Sequence, residues 1–356
     1  MTAEGREGGN LAAPACRHLQ PFGTSIFSEM TRLAGEHGAI NLSQGFPDFE
    51  GPPGIIAAAA AAMRAGHNQY ARSMGHPQLV EAIACKLRDC YRLEYDPYRE
   101  IVVTSGATEA IAAAFLGLLN PGDEVLLIEP FYDSYPACTA MAGATPHYLT
   151  LRFPHFALDP QALAALSGAR PRLLVLNNPH NPTGRVFTRE ELGHIARWCV
   201  ARDVLVLADE VYEHLTYDGA EHVPIASLPG MRERTLTVSS TGKTFSLTGW
   251  KIGWAYGPAP LVAALQAAHQ FITFSTATPL QVAMAEALRT HAGEYLAELR
   301  SGYAARRDFI VAALRDSGFE VAVPRGTYFA IADFSRLFAG DDRQFARFLV
   351  ERHRVA

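Results

Sequence analysis

At 356 residues the chain is long enough for about two domains of ordinary size. Hydrophobic residues make up 49% and charged residues 19%, which excludes wholesale disorder and collagen-like repeats. A net charge of −5 and a pI near 6.2 leave no basic footprint, so nucleic acid is not an expected partner.

Residues 1–17, which mix Glu4, Arg6 and Glu7 with glycines, read as a flexible arm and contain no apolar core of a signal peptide. A short helical pattern over 27–33 leads into a strand-like 39–42 and a turn-rich 43–54. An alanine-rich helix is predicted at 55–65, and another at 77–91 with Leu79, Ile83 and Leu87 on one face. The most apolar run, 55–63, is about half the ~20 residues that a membrane span needs, so no membrane partner is expected.

Beyond Arg99 the pattern changes. Apolar runs at 101–103, 125–128, 146–149, 173–176, 204–208, 235–238 and 252–256 alternate with helical stretches. This predicts an α/β domain with a largely parallel sheet covered by helices on both faces. From 279 to 314 one long helical pattern follows, then a β-rich piece at 319–332 and a helix at 343–353. These form a smaller α+β unit. The chain then stops at Val355–Ala356, two apolar residues with no terminal strand expected to use them. The five cysteines, Cys16, Cys85, Cys90, Cys138 and Cys199, are an odd number without a CxxC pair. Free thiols in a reducing, cytoplasmic compartment are expected.

In open α/β sheets, ligands bind beyond the carboxyl ends of the strands, so the residues after each run carry the functional signal. After the first run, Thr104-Ser105-Gly106-Ala107-Thr108-Glu109 opens a helix. Such a turn suits a phosphate through free N–H groups and the helix dipole, although taken alone it reads first as an ordinary capped helix. After the second run, Glu129-Pro130-Phe131-Tyr132 offers a ring for stacking or simple packing. After the fourth, residues 177–184 (NNPHNPTG) make a rigid turn that presents amides. After the fifth, Asp209-Glu210-Val211-Tyr212 places an acid at an apolar strand end, either as the partner of a cation or as a helix cap.

The sixth run is followed by Ser239-Ser240-Thr241-Gly242-Lys243-Thr244 and then Lys251. The chain has only three lysines, Lys86, Lys243 and Lys251, and two fall here, eight positions apart. Unlike arginine, a lysine amine can lose its proton and become a nucleophile that forms Schiff bases. A lysine, a phosphate turn, a stacking ring and an acid for a ring nitrogen together describe the needs of pyridoxal phosphate. A nucleotide P-loop is disfavoured because its first glycine position is Thr237. No HExxH or cysteine/histidine metal spacing occurs, so no metal is expected.

The chain resembles the class I/II pyridoxal-phosphate-dependent aminotransferases of fold type I, in particular the methionine aminotransferase and kynurenine–glutamine transaminase branch. The motifs that carry this are INLSQGFPDF (40–49), NQY (68–70), SGATEA (105–110), EPFYDSY (129–135), NPHNPTG (178–184), DEVYEH (209–214), SSTGKTFSLTGWKIGW (239–254), HQFITF (269–274) and GTYF (326–329).

The resemblance implies a large cofactor-binding domain over 51–285 with a mainly parallel seven-stranded sheet. It implies a small C-terminal domain over 286–356, with 18–50 packed against it. Lys243 matches the Schiff-base lysine, Lys251 and Ser240 match phosphate contacts, and Gly106, Ala107 and Thr108 match the phosphate turn. Tyr132 takes the ring-stacking position and Asp209 the pyridine-nitrogen partner, while Asn181 and Tyr212 match the pair on the phenolic oxygen. Tyr70 matches a tyrosine that reaches the phosphate across a homodimer interface. Gly45 matches a substrate-carboxylate contact, and Phe274 matches a loop lining the partner's side-chain pocket. Relatives continue with a further strand, a PGS-like loop and a carboxylate-binding arginine, so the small domain here is expected to be incomplete.

The implied activity is transfer of the amino group of an L-amino acid, of methionine, glutamine or aromatic type, to a 2-oxo acid in a ping-pong cycle. In that cycle the Lys243 amine moves the α-proton. A β-eliminating lyase and a cofactor-binding remnant with little turnover are the alternatives.

Overall fold

A computed structural model describes residues 16, 18–23, 25–43, 45–290 and 292–356; the arm read at 1–17 lies outside them except for Cys16. The seven apolar runs are seven strands: β1 Ile101–Ser105, β2 Glu124–Glu129, β3 Thr145–Thr150, β4 Pro171–Asn177, β5 Leu205–Asp209, β6 Thr235–Ser240 and β7 Ile252–Tyr256. They form one sheet in the order β1-β7-β6-β5-β4-β2-β3. All neighbours are parallel except those of β7, which is antiparallel to both β1 and β6. The reason is the connection: residues 241–251 are too few for the crossover that a parallel return requires.

Twelve helices accompany the strands among the described residues. They are α1 Ile26–His37, α2 Pro53–Arg64, α3 Pro77–Tyr91, α4 Gly106–Leu118, α5 Ser134–Met141, α6 Pro160–Ala165, α7 Arg189–Arg202, α8 Thr241–Thr244, α9 Ala259–Ile272, α10 Thr278–Thr290, α11 Ala292–Asp316 and α12 Asp342–Phe348. Strand alternation sorts the core into layers. Val125, Leu127, Leu173, Val175, Leu207 and Val238 pack against α4 and α9, with Phe115, Val262 and Leu265 filling the space between. Leu126, Leu174, Leu176 and Val206 face the other way, onto Leu192, Ile195 and Trp198 of α7. On that same side Ile101, Val103, Trp254 and Tyr256 meet α2, α3 and α10 through Ile55, Leu79, Ile83, Leu87 and Met284.

The C-terminal part differs from expectation in three places. The single helical pattern over 279–314 is two helices, α10 and α11. The strand expected at 39–42 is only an isolated parallel bridge between Ile40 and Val355. Val355–Ala356, expected to lack a strand partner, are paired through that bridge. Ile40 N–H donates to Arg354 C=O at 2.8 Å, Ala356 N–H to Ile40 C=O at 2.9 Å, and Leu42 N–H to Ala356 C=O at 2.8 Å. Beside this bridge Met30 and Leu33 of α1 pack on Val350. The β-rich piece is the antiparallel pair β8 Glu320–Ala322 and β9 Ile331–Asp333. The helix predicted at 343–353 is α12, with a capping box of Asp341 and Gln344, continued by a π-helical turn Leu349–His353. Among the described residues no helix is long and apolar enough to cross a membrane, and no histidine, cysteine and acid cluster could hold a metal. All five cysteines are free.

Candidate active site

Because β7 is antiparallel, its first residue lies at the same sheet edge as the last residues of β1, β4, β5 and β6. That edge gathers Gly106, Asn177, Asp209, Ser240 and Lys251 around a cavity of about 350 Å³. Ala107, Thr108, Tyr132, Asn181, Tyr212, Lys243 and Gly45 also line it. Eleven of the thirteen residues assigned from the sequence therefore meet in one place. The other two do not. Tyr70 is 82% exposed and Phe274 half-exposed, and they pair edge-on, with ring centroids 5.3 Å apart, outside the lining.

One end of the cavity is cationic and rich in donors. Gly106, at φ +77°, begins the first turn of α4, and Lys251 Nζ donates to Thr108 Oγ1 at 3.4 Å. The turn rests directly on β7. A Cβ on Gly253 would stand 2.5 Å from Gly106 C and 2.6 Å from Ala107 N, so only glycine is accommodated there. Free N–H groups of a thirteen-residue helix, two hydroxyls and an ammonium make a phosphate-sized anion site.

The far wall is acidic. Asp209 is 4% exposed; Tyr135 donates its hydroxyl to Oδ2 at 2.6 Å and Val211 N–H donates to Oδ1 at 3.3 Å. Burial pushes the carboxyl up to about 6, against the pull of those two bonds and of Lys243. Two neutral donors leave the buried anion undercompensated, which is the setting that favours a protonated ring nitrogen. Asn177 braces this wall, its amide donating to Asp209 C=O at 2.8 Å and its Oδ1 accepting Asn181 N–H at 2.5 Å.

Lys243 lies between the two ends. Its Nζ donates to Gly45 C=O at 3.0 Å and to the Tyr328 hydroxyl at 2.5 Å. Tyr328 in turn donates to the same carbonyl and accepts from Tyr212 at 3.5 Å. Burial lowers the amine to about 8, with Asp209 opposing and Lys251 adding to the shift. The site thus holds an amine lowered to about 8, an anion cup, the ring of Tyr132 and a buried acid. These fit pyridoxal phosphate.

Residue-by-residue reading of the sequence missed Tyr328, Tyr135 and Gly253, and it read Asn177 only as one of the amides that the 177–184 turn presents. Tyr328, Tyr135 and Gly253 stand inside GTYF, EPFYDSY and SSTGKTFSLTGWKIGW, and Asn177 directly precedes NPHNPTG. The signal was present in the motifs without indicating which side chain meets which.

The family profile described as aminotransferase class I and II matches residues 37–356. A probable N-succinyldiaminopimelate aminotransferase, DapC, of Mycobacterium tuberculosis is 48% identical over 342 residues, covering 95% of this chain and 85% of the relative. A solved structure of N-succinyldiaminopimelate aminotransferase from Mycobacterium tuberculosis, 48% identical, superposes with a TM-score of 0.93 over 96% of this chain and 89% of its own. A methionine aminotransferase of Escherichia coli is 42% identical over 338 residues, covering 95% of this chain and 87% of the relative. The chain belongs to the class I and II aminotransferases. It is a pyridoxal-phosphate enzyme of fold type I.

Proposed function

We propose that this aminotransferase takes its amino group from an L-amino acid with an apolar or uncharged side chain, of methionine, glutamine or aromatic type, and passes it to a 2-oxo acid in a ping-pong cycle through Lys243. Bound pyridoxal phosphate supplies the carbonyl that receives the amino group and the electron sink that stabilises the deprotonated substrate. Gly106, Ala107, Thr108, Ser240 and Lys251 hold its phosphate, Tyr132 covers its ring, and Asn181 and Tyr212 hold its phenolic oxygen. Asp209 keeps the ring nitrogen protonated. Lys243 Nζ would hold the cofactor's aldehyde, and it is the amine placed to move the substrate's α-proton. The single observation that carries this is the Lys243 amine, lowered to about 8 and placed between an anion cup and a buried acid.

The donor class rests on the cavity wall. Phe27, Phe46 and Phe329 line it, and their rings suit an apolar or uncharged side chain. The test is the first half-reaction with methionine, glutamine, phenylalanine and N-succinyldiaminopimelate, followed by the cofactor's absorbance. Faster turnover of the succinylated substrate would overturn the assignment.

A homodimer is part of the reading. Tyr70 and Phe274 pair at the surface, and Phe271, 87% exposed, and Ile272 lie just before Phe274 in the chain; from such a surface Tyr70 would reach the phosphate of a second copy. The free cysteines support a reducing, cytoplasmic setting.

A further inference from the structure

Of the three lysines, Lys86 takes no part in the cavity. It stands on α3 with its side chain 7% exposed, and its Nζ lies 2.5 Å from Glu213 Oε1, a side chain itself 3% exposed. Glu213 also accepts the Ser239 hydroxyl at 2.7 Å and the Tyr91 hydroxyl at 2.5 Å, with His214 Nε2 at 4.0 Å. The ammonium faces the rings of Trp254 and Tyr91 at 5.3 and 5.6 Å. Burial alone would raise the Glu213 carboxyl, and Lys86, with His214 and His222, reverses this and holds it well below the usual carboxylate range.

A buried ion pair is a poor stabiliser compared with apolar residues of the same volume, because desolvation offsets most of the attraction. Its location suggests another use. Glu213 directly follows Tyr212, and Ser239 directly precedes Ser240. Neighbouring residues of a strand point to opposite faces, so Ser240 enters the cavity while Ser239 points behind the sheet. The turn after β5 repeats the pattern. Asp209 and Tyr212 line the cavity, whereas Glu210 bonds His222 Nε2 at 3.2 Å, Ile225 N–H at 3.3 Å and the Tyr256 hydroxyl at 3.5 Å behind it.

We propose that Lys86, through its buried ion pair with Glu213, is a positioning residue that fixes Tyr212 and Ser240 relative to each other from behind the sheet. The proposal rests on the reading of those two residues as cofactor contacts. One carboxylate joins three elements: α3 through Lys86 and Tyr91, β6 through Ser239, and the turn after β5 through its own backbone. Without the ammonium, Glu213 becomes an uncompensated buried anion. It then draws in water or a proton, and the turn that carries Tyr212 shifts.

The experiment is a titration of the cofactor-free full chain with pyridoxal phosphate, read by absorbance and tyrosine fluorescence. Lys86→Met removes the cation with little change in volume and should weaken cofactor binding about tenfold or more. Ser239→Ala removes only the link from β6, strands no charge, and should weaken binding about threefold. Lys86→Met combined with Glu213→Gln should return to within about threefold of the parent, because the amide oxygen still accepts Ser239 and no charge is stranded. Parent-like affinity and an unchanged bound-cofactor spectrum in both single variants, whatever their melting temperatures, would overturn the proposal. If Lys86→Met does not fold, Ser239→Ala decides alone. Ser240→Ala and Tyr212→Phe are the direct controls. If these also bind normally, the reading of the cofactor site is wrong and the proposal falls with it; if only they weaken, the positioning role alone is refuted.

Discussion

Lys243 and Asp209 are buried in the same cavity, and burial moves both toward neutrality in opposite directions. With the amine at about 8, roughly one Lys243 in ten is neutral at pH 7 and about nine in ten at pH 9. The rate at which cofactor-free protein captures pyridoxal phosphate should therefore rise about ninefold over that range, with its midpoint near 8. Stopped-flow absorbance measures this, and a flat profile would contradict the assignment of Lys243. Borohydride should fix the bound cofactor on Lys243 and on neither Lys86 nor Lys251. Asp209 carries a second prediction. A carboxyl raised from 3.8 to about 6 on folding contributes stability that is full below about 4 and lost as pH rises through 6. In cofactor-free protein Asp209→Asn should remove that pH dependence, so its melting temperature matches or exceeds the parent's at pH 7. The same variant should slow the first half-reaction by about a hundred- to a thousandfold, since a ring nitrogen facing an amide keeps its proton poorly. An unchanged half-reaction rate would reassign the carboxylate.

The proposed phosphate cup depends on how closely β7 approaches the first turn of α4, a contact that a Cβ on Gly253 would block. Gly253→Ala puts a methyl group 2.5 Å from the backbone of Gly106, and backbone cannot yield as a flexible side chain does. Cofactor affinity should fall by about a hundredfold or more, with a loss of thermal stability of the size that overpacking gives. Fluorescence titration and thermal melts test both. A variant that binds normally would place the phosphate elsewhere. The same contact shows what the sequence could reveal. Strands β1 to β7 were legible because every one except β3 and β6 is apolar along most of its length, the mark of strands covered on both faces, and β6, though rich in Thr and Ser, is buried throughout. The strand ends and their polar residues followed from that. Partnerships across the fold were not legible: Tyr328 meets Lys243 from 85 residues away and Lys86 meets Glu213 from 127, and no local period encodes such pairs. The 39–42 segment misled for a related reason. Its alternating apolar residues satisfy a strand pattern, yet Ile40 and Leu42 are largely exposed and only a single bridge forms.

At the scale of the whole molecule, the uncovered face around α9 is the feature a lone chain explains least. Phe271 at 87% exposure and Ile272, followed in the chain by Phe274, which pairs with Tyr70, offer the exposed apolar side chains that mark an interface rather than a solvated helix end. Fold and sequence place it next to the cofactor cup: Ser275 Oγ bonds Ala71 C=O at 3.2 Å, and Ser105, the last residue of β1, bonds Thr276 at 3.2 Å. A second copy seated there would bring Tyr70 toward its phosphate end while burying both aromatic rings. Phe271→Asp places a charge in that surface without touching the cavity of its own chain. Light scattering should then show the parent at twice the chain mass and the variant at the mass of one chain. If Tyr70 completes the partner's cup, the variant should also bind pyridoxal phosphate about tenfold more weakly, the value of one charge-assisted hydrogen bond. A Tyr70→Phe chain should lose the same affinity while remaining a dimer. A parent protein of single-chain mass that holds its cofactor tightly would show instead that the cup is complete within one chain.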